Sequence, residues 1–207
     1  MQATIRAKIE LAGRPPGLVL NNGELADDTN PFSIQIAELR PARGKKLTDE
    51  QRERKDFLNW RGSLYLSGSG ELILPARGLF KAIIEAARAP AFKLGTMIED
   101  RGAVTLEQAE LPLIHDGPDD LDKLWSDSRY RFRTLVNPNP SSGKGGKLPL
   151  MRPVFPVWST EVTALVLPEM IDWDVFCKIT ESAGNVGVGN ARKIGYGRFD
   201  VQVTKLS

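Results

Sequence analysis

Residues 3–11, ATIRAKIEL, alternate in character: Ile5, Ala7, Ile9 and Leu11 fall on one side, Arg6, Lys8 and Glu10 on the other. This two-residue period predicts a half-buried strand. The stretch that follows, RPPGLVLNNGELADDTNP, is dense in Pro, Gly, Asn and Asp and reads as a long ordered loop. A short helix is expected over 32–39. Residues 43–47 read as a basic turn. Thr48 is placed to cap a charged helix, DEQRERKDFLNW, with acids in its first turn.

Two short strands, 63–66 and 72–74, are expected around the Ser-Gly-Ser-Gly turn at 67–70. Pro75 then leads an amphipathic helix, ARGLFKAIIEAARA, with Leu79, Phe80, Ile83, Ile84 and Ala87 as its apolar stripe and Lys81 and Glu85 on the wet side. Residues 103–114 contain strand-like pieces, and 119–126 a short helix ending near Trp125. Residues 137–147, NPNPSSGKGGK, have the composition of a mobile, thumb-like loop.

The last third is the most regular. Residues 161–167 read as a strand apolar on both faces or nearly so. Asp172 is placed as an N-cap, with Ile171 and Phe176 as a hydrophobic staple. Trp173, Phe176, Cys177 and Ile179 fill the inner side of the helix, and Gly184 is read as its end. A glycine-rich loop, NVGVGNARKIGYG, leads into a final alternating strand over 198–205.

Composition narrows the classes. The chain of 207 residues is 41% hydrophobic and 26% charged, enough apolar content for a core without disulfides or metals. Its formal charge of +2 allows a nucleic-acid partner only through a local basic face. Cys177 and His115 are the single residues of their kinds, which excludes an internal disulfide and a Cys/His zinc site. MQATIRAKIELAG lacks a signal-peptide core, and no run of about 18 apolar residues occurs. The expectation is a cytoplasmic protein with no membrane partner, metal or cofactor.

The glycine-rich loop carries the sharpest chemistry. Bare backbone N–H groups approach anions closely, and Arg192, Lys193 and Arg198 lie among Gly187, Gly189, Gly195 and Gly197. A mononucleotide or dinucleotide loop needs strand, glycines, then helix; here the glycines follow a helix and precede a strand. A turn with solvated basic residues is the competing reading.

A second motif is SRYRFRTL, 128–135. If extended, it sets Arg129, Arg131 and Arg133 on one face and Tyr130 and Phe132 on the other, suited to phosphates and stacked bases. An edge strand with a solvated arginine face fits it nearly as well. Lys144, Lys147 and Arg152 follow it, and Trp60 is a candidate stacking residue. Arg40, Arg43, Lys45 and Lys46 form a further cluster that reads equally as a soluble turn. Walker, HExxH and serine-nucleophile signatures are absent, and His115 reads as a turn residue.

VGVGNARKIGYGRFDV resembles the glycine-rich loop and last strand of the RAMP superfamily, whose members build CRISPR effector complexes. LILPARGLFKAIIEAAR resembles that superfamily's proline-led first helix, although the order Pro75-Ala76-Arg77-Gly78-Leu79 matches the usual pattern only in part. The resemblance implies an α+β, ferredoxin-like (RRM/RAMP-like) βαββαβ core. One domain over 1–207 would carry insertions at about 12–60 and 91–157. The whole chain also resembles a family of short phage and prophage proteins, which implies a viral setting.

By similarity to RAMP backbone subunits, the expected role is binding single-stranded RNA or DNA as a homo-oligomer along the strand. The candidate contacts are Arg77, Lys81, Arg129, Arg131, Arg133, Lys144, Lys147, Arg152, Gly189, Arg192, Lys193 and Arg198, with Tyr130, Phe132 and Trp60 stacking. Two alternatives stay open. One is a phage structural or interaction protein, or a mimic engaging host CRISPR subunits. The other is a metal-dependent ribonuclease using Asp27 or Asp28, which resemble a cleavage-assisting loop acid of some RAMP subunits; adjacent acids in a turn are more often turn formers.

Overall fold

A computed structural model describes residues 4–41, 45–136 and 148–206. The strands and α-helices run β1 Ile5–Gly13, β2 Leu18–Val19, α1 Pro31–Glu38, α2 Asp49–Gly62, β3 Ile73–Pro75, α3 Ala76–Ala87, α4 Gly95–Glu99, β4 Val104–Leu106, β5 Glu110–Pro112, β6 Ile114–His115, α5 Leu121–Ser126, β7 Arg131–Val136, β8 Leu148–Phe155, β9 Trp158–Val166, α6 Trp173–Val186 and β10 Phe199–Lys205. They divide into two compact units: residues 1–18, 66–116 and 156–207, and residues 19–65 and 117–155.

The first unit is built on one antiparallel sheet of order β10-β1-β9-β4, with β6 also on β9. Taken in chain order, β1-α3-β4-β9-α6-β10 is a βαββαβ succession. Its central strands are the first and third, its outer strands the second and fourth, which is the ferredoxin-like order. The fold is α+β, as the sequence predicts.

Alternation in β1 decides the two faces: Ile5, Ala7, Ile9 and Leu11 are buried, as are Val162, Ala164 and Val166 of β9. Leu79 and Ile83 of α3 and Phe176 and Ile179 of α6 complete this core, with α3 packed on α6 and α6 on β10. The opposite face of β9 is open: Thr163 and Leu165 are half-buried, so the strand is not apolar on both sides.

Local expectations fail where a distant neighbour intervenes. α6 runs through Gly184 and stops at Gly187, whose φ of +79° ends the helix. Gly184 is there because a Cβ would lie 2.2 Å from the Phe199 carbonyl oxygen of β10. Asp172 holds the N-cap position without a side-chain cap bond. The expected strand 63–66 shrinks to a single bridge between Leu66 and Leu72.

The second unit has a three-stranded sheet, β2-β8-β7, with α2 packed on β8. Thr48 caps α2 through a reciprocal box with Gln51, and Asn30 and Asp120 cap α1 and α5. Trp60 fills the core, fully buried, its Nε1–H donating to the Tyr130 carbonyl at 2.8 Å.

Candidate nucleic-acid surface

In the first unit the glycine-rich loop begins at Gly187 and closes at Gly197. Val188 N–H donates to the Gly197 carbonyl at 2.9 Å, and Gly197 N–H to the Gly17 carbonyl at 2.7 Å. A Cβ on Gly197 would lie 1.8 Å from the Val188 carbonyl oxygen, so this glycine is required by close backbone approach as well as by its φ of +74°. Between these anchors a 3₁₀ turn, Arg192–Ile194, is presented outward, with Arg192, Lys193 and Arg198 exposed and Gly189 at the surface.

Arg192 Nη1 lies 3.1 Å from Glu85 Oε2 of α3. This bond joins the two motifs that the sequence singles out. On α3 and its C-cap, Arg77, Lys81, Glu85 and Arg88 are all exposed and recur at helical spacing, so they share one outward stripe. Arg88 is neutralised by Glu99. Arg77, Lys81 and Lys193 have no ion-pair partner among the described residues. The result is a basic surface of unspent cations beside exposed glycine backbone, crossed by a single acid.

The open face of the sheet has different chemistry. Arg6 is held by Glu107 at 2.7 Å, and Lys8 by Glu10 at 3.0 Å and Glu161 at 2.8 Å. These contacts raise both pKa values, chiefly through the hydrogen bonds that Arg6 donates to Glu107 and Lys8 donates to Glu161. Asp200, on the same face, is paired with Arg14. The outward positions of β1, β9 and β10 hold Ala, Ser, Thr, Leu, Gln and these charges, with no aromatic ring. RNA-recognition sheets of this topology stack bases on aromatics; this face has none to offer.

In the second unit the arginine–aromatic motif does not alternate as the sequence suggests. Residues 128–130 form a 3₁₀ turn, and only Arg131–Val136 is strand. Arg129 is bonded to Asp127 at 2.8 Å and lies over Tyr130. Arg133 pairs with Asp56 of α2. Arg152 donates to Ser63 Oγ, and burial lowers its pKa. Tyr130 and Trp60 are both 0% exposed, so neither has a face on which a base stacks. Phe132 is half-buried. Lys144 and Lys147 lie outside the described residues.

Trp125 is the ring that the sequence reading passes over as a helix end. It is half-exposed, edge-on to Phe57 and Trp60 at 5.4 and 5.5 Å, with the Arg131 guanidinium 5.0 Å from its ring centre. Its signal is the spacing Leu121, Leu124, Trp125, which puts the indole at the edge of the helix's apolar face. Asp27 is engaged locally, accepting from Thr29 N–H and Oγ1–H at 2.8 Å each, contacts that lower its pKa. Among the described residues no three His, Cys, Asp or Glu side chains gather to hold a metal, and no helix is long and apolar enough to cross a membrane.

No protein-family model matches the chain, and no curated protein matches it. Solved structures do resemble it, two of them as follows. One is a chain of the Type III-B Cmr-beta complex bound to cognate target RNA, at 13% identity and a TM-score of 0.47, with 99% of this chain covered. This chain spans 62% of the length of that one. The other is oligomeric Cmr4 from Pyrococcus furiosus, at 8% identity and a TM-score of 0.43, covering 99% of this chain and 100% of that one.

Proposed function

We propose that the protein binds single-stranded nucleic acid through the basic surface formed by α3 and the glycine-rich loop. The observation that carries this reading is the Arg192–Glu85 bond, which sets the loop's cations against the Arg77–Lys81 stripe. Arg77 sits in the first turn of a twelve-residue helix, where the macrodipole adds positive potential. Exposed backbone at Gly189 adds donors that approach a phosphate without a side chain between. This chemistry contacts the sugar–phosphate backbone and predicts binding that tolerates sequence. The RAMP-like sequence pattern favours the same partner and assembly of copies along the strand, and the resemblance to short phage and prophage proteins favours a viral setting.

Fluorescence anisotropy with single-stranded RNA, single-stranded DNA and duplex at two salt concentrations tests this. The expected result is salt-sensitive binding to single strands, with complexes that lengthen as the strand lengthens in sedimentation. Flat titrations on all three ligands overturn it.

A further inference from the structure

The second unit contains a groove of about 360 Å³ lined by α2, α5, β7 and β8, within the range of about 300–1,000 Å³ usual for small-ligand pockets. We propose that this groove is a nucleobase subsite with a preference for guanine. The inference rests on the single-strand reading above and adds a base-reading element to it.

Three observations carry it. First, the groove has an aromatic wall, Trp125, whose face is occupied by a side chain of its own unit, Arg131. A base stacked on an aromatic ring gains more than an exposed cation–π contact does. A base that displaces the guanidinium from the ring leaves Arg131 at the rim as a donor fork. Second, acids of α2 recur at helical spacing in the groove's lining, and two are already satisfied: Asp49 by Arg52 at 3.2 Å and Asp56 by Arg133. Glu53, between them, has no hydrogen-bond or ion-pair partner among the described residues. Third, Arg131 has no carboxylate within ion-pair distance among the described residues.

The groove thus offers one ring, one unspent guanidinium and one unspent carboxylate. Guanine presents two acceptors, O6 and N7, to an arginine fork, and two donors, N1–H and the N2 amino group, on its other edge. Adenine lacks that donor pair, and the pyrimidines lack the two-acceptor edge. Met151, buried, adds an apolar surface to the groove's lining.

The test uses mononucleotides, which report on the groove without engaging a long phosphate-binding surface. Guanosine, inosine, adenosine, cytidine and uridine monophosphates are titrated into the full chain, followed by the NMR signal of the Trp125 indole N–H. The signal is assigned with Trp125→Phe. Guanosine monophosphate is expected to shift that signal and to bind about tenfold more tightly than inosine monophosphate, which lacks only the N2 amino group. Glu53→Ala is expected to erase that difference while the chain stays folded, because Glu53 is exposed and has no hydrogen bond or ion pair among the described residues. Equal affinity for the two purines in the wild type overturns the guanine preference. A Trp125 signal unmoved by any nucleotide overturns the subsite. Failure of the single-strand reading shows separately: anisotropy stays flat on every strand, or strand binding is unchanged by the α3 and loop substitutions below, whatever the Trp125 signal does with mononucleotides.

Discussion

Glu85 is the acid that interrupts the proposed phosphate-binding surface, and its removal distinguishes that surface from any other basic face. Glu85→Gln deletes one negative charge and releases Arg192, whose guanidinium it holds at 3.1 Å. Both side chains are about half exposed, at 42% for Arg192 and 58% for Glu85, so the pair contributes about 0.2–1 kcal/mol or less to folding. The variant should melt within a few degrees of the wild type.

Binding should change more than folding. One added phosphate contact on a single strand steepens the log–log salt dependence by about 0.7. Between 50 and 200 mM salt that slope corresponds to about a two- to threefold greater loss of affinity than in the wild type. At the lower salt the variant should bind more tightly. The double variant Lys81→Gln, Lys193→Gln should do the reverse, flattening the slope by about 1.4. The assay is anisotropy on a fluorescent single-stranded RNA at four salt concentrations, with thermal melts as the control. A Glu85→Gln slope equal to or shallower than wild type, in a protein that melts normally, refutes the assignment of phosphates to this surface.

Gly197→Ala forces a Cβ to within 1.8 Å of the Val188 carbonyl at a positive φ and should destabilise the first unit by at least about 1–3 kcal/mol, read from urea unfolding. Trp60→Phe removes the buried hydrogen bond from the indole N–H to the Tyr130 carbonyl and should cost about 0.5–1.5 kcal/mol, with strand binding unchanged once the protein is folded. Asp120 caps α5 by accepting from Asp122 and Lys123 N–H, and the Lys123 bond is the largest cause of its depressed pKa. A depressed carboxyl stabilises the folded state above its ordinary value of 3.8 and loses that contribution as pH falls through the lower folded value. Asp120→Asn, an uncharged cap, should therefore remove this part of the acid sensitivity between pH 5 and about 2 in thermal melts.

Periodicity and turn chemistry act over a few residues, and at that range the sequence was sufficient. The alternation at Ile5–Leu11, the apolar stripe of α3 and the cap at Thr48 each follow from side-chain spacing, because a strand or helix buries whichever side is apolar regardless of what covers it. The βαββαβ plan came from the resemblance of the proline-led helix and glycine-rich loop to the RAMP pattern, not from periodicity. Contacts between distant segments were not. Trp60 and Trp125 look alike as isolated residues; only packing buries one wholly and leaves the other half-open at a groove. Gly184 reads as a helix end until β10 is brought against it, and then its missing Cβ serves close approach, while Gly187 supplies the turn. The arginines of SRYRFR read as a free cationic face, yet Asp127, Trp125 and Asp56 engage three of them. At the glycine-rich loop the sequence determined the positive φ angles and the charges, and tertiary structure decided their use: Glu85, 107 residues before Arg192, ties the loop to α3. No local pattern encodes that bond, because it depends on where the sheet sets two chain segments in space.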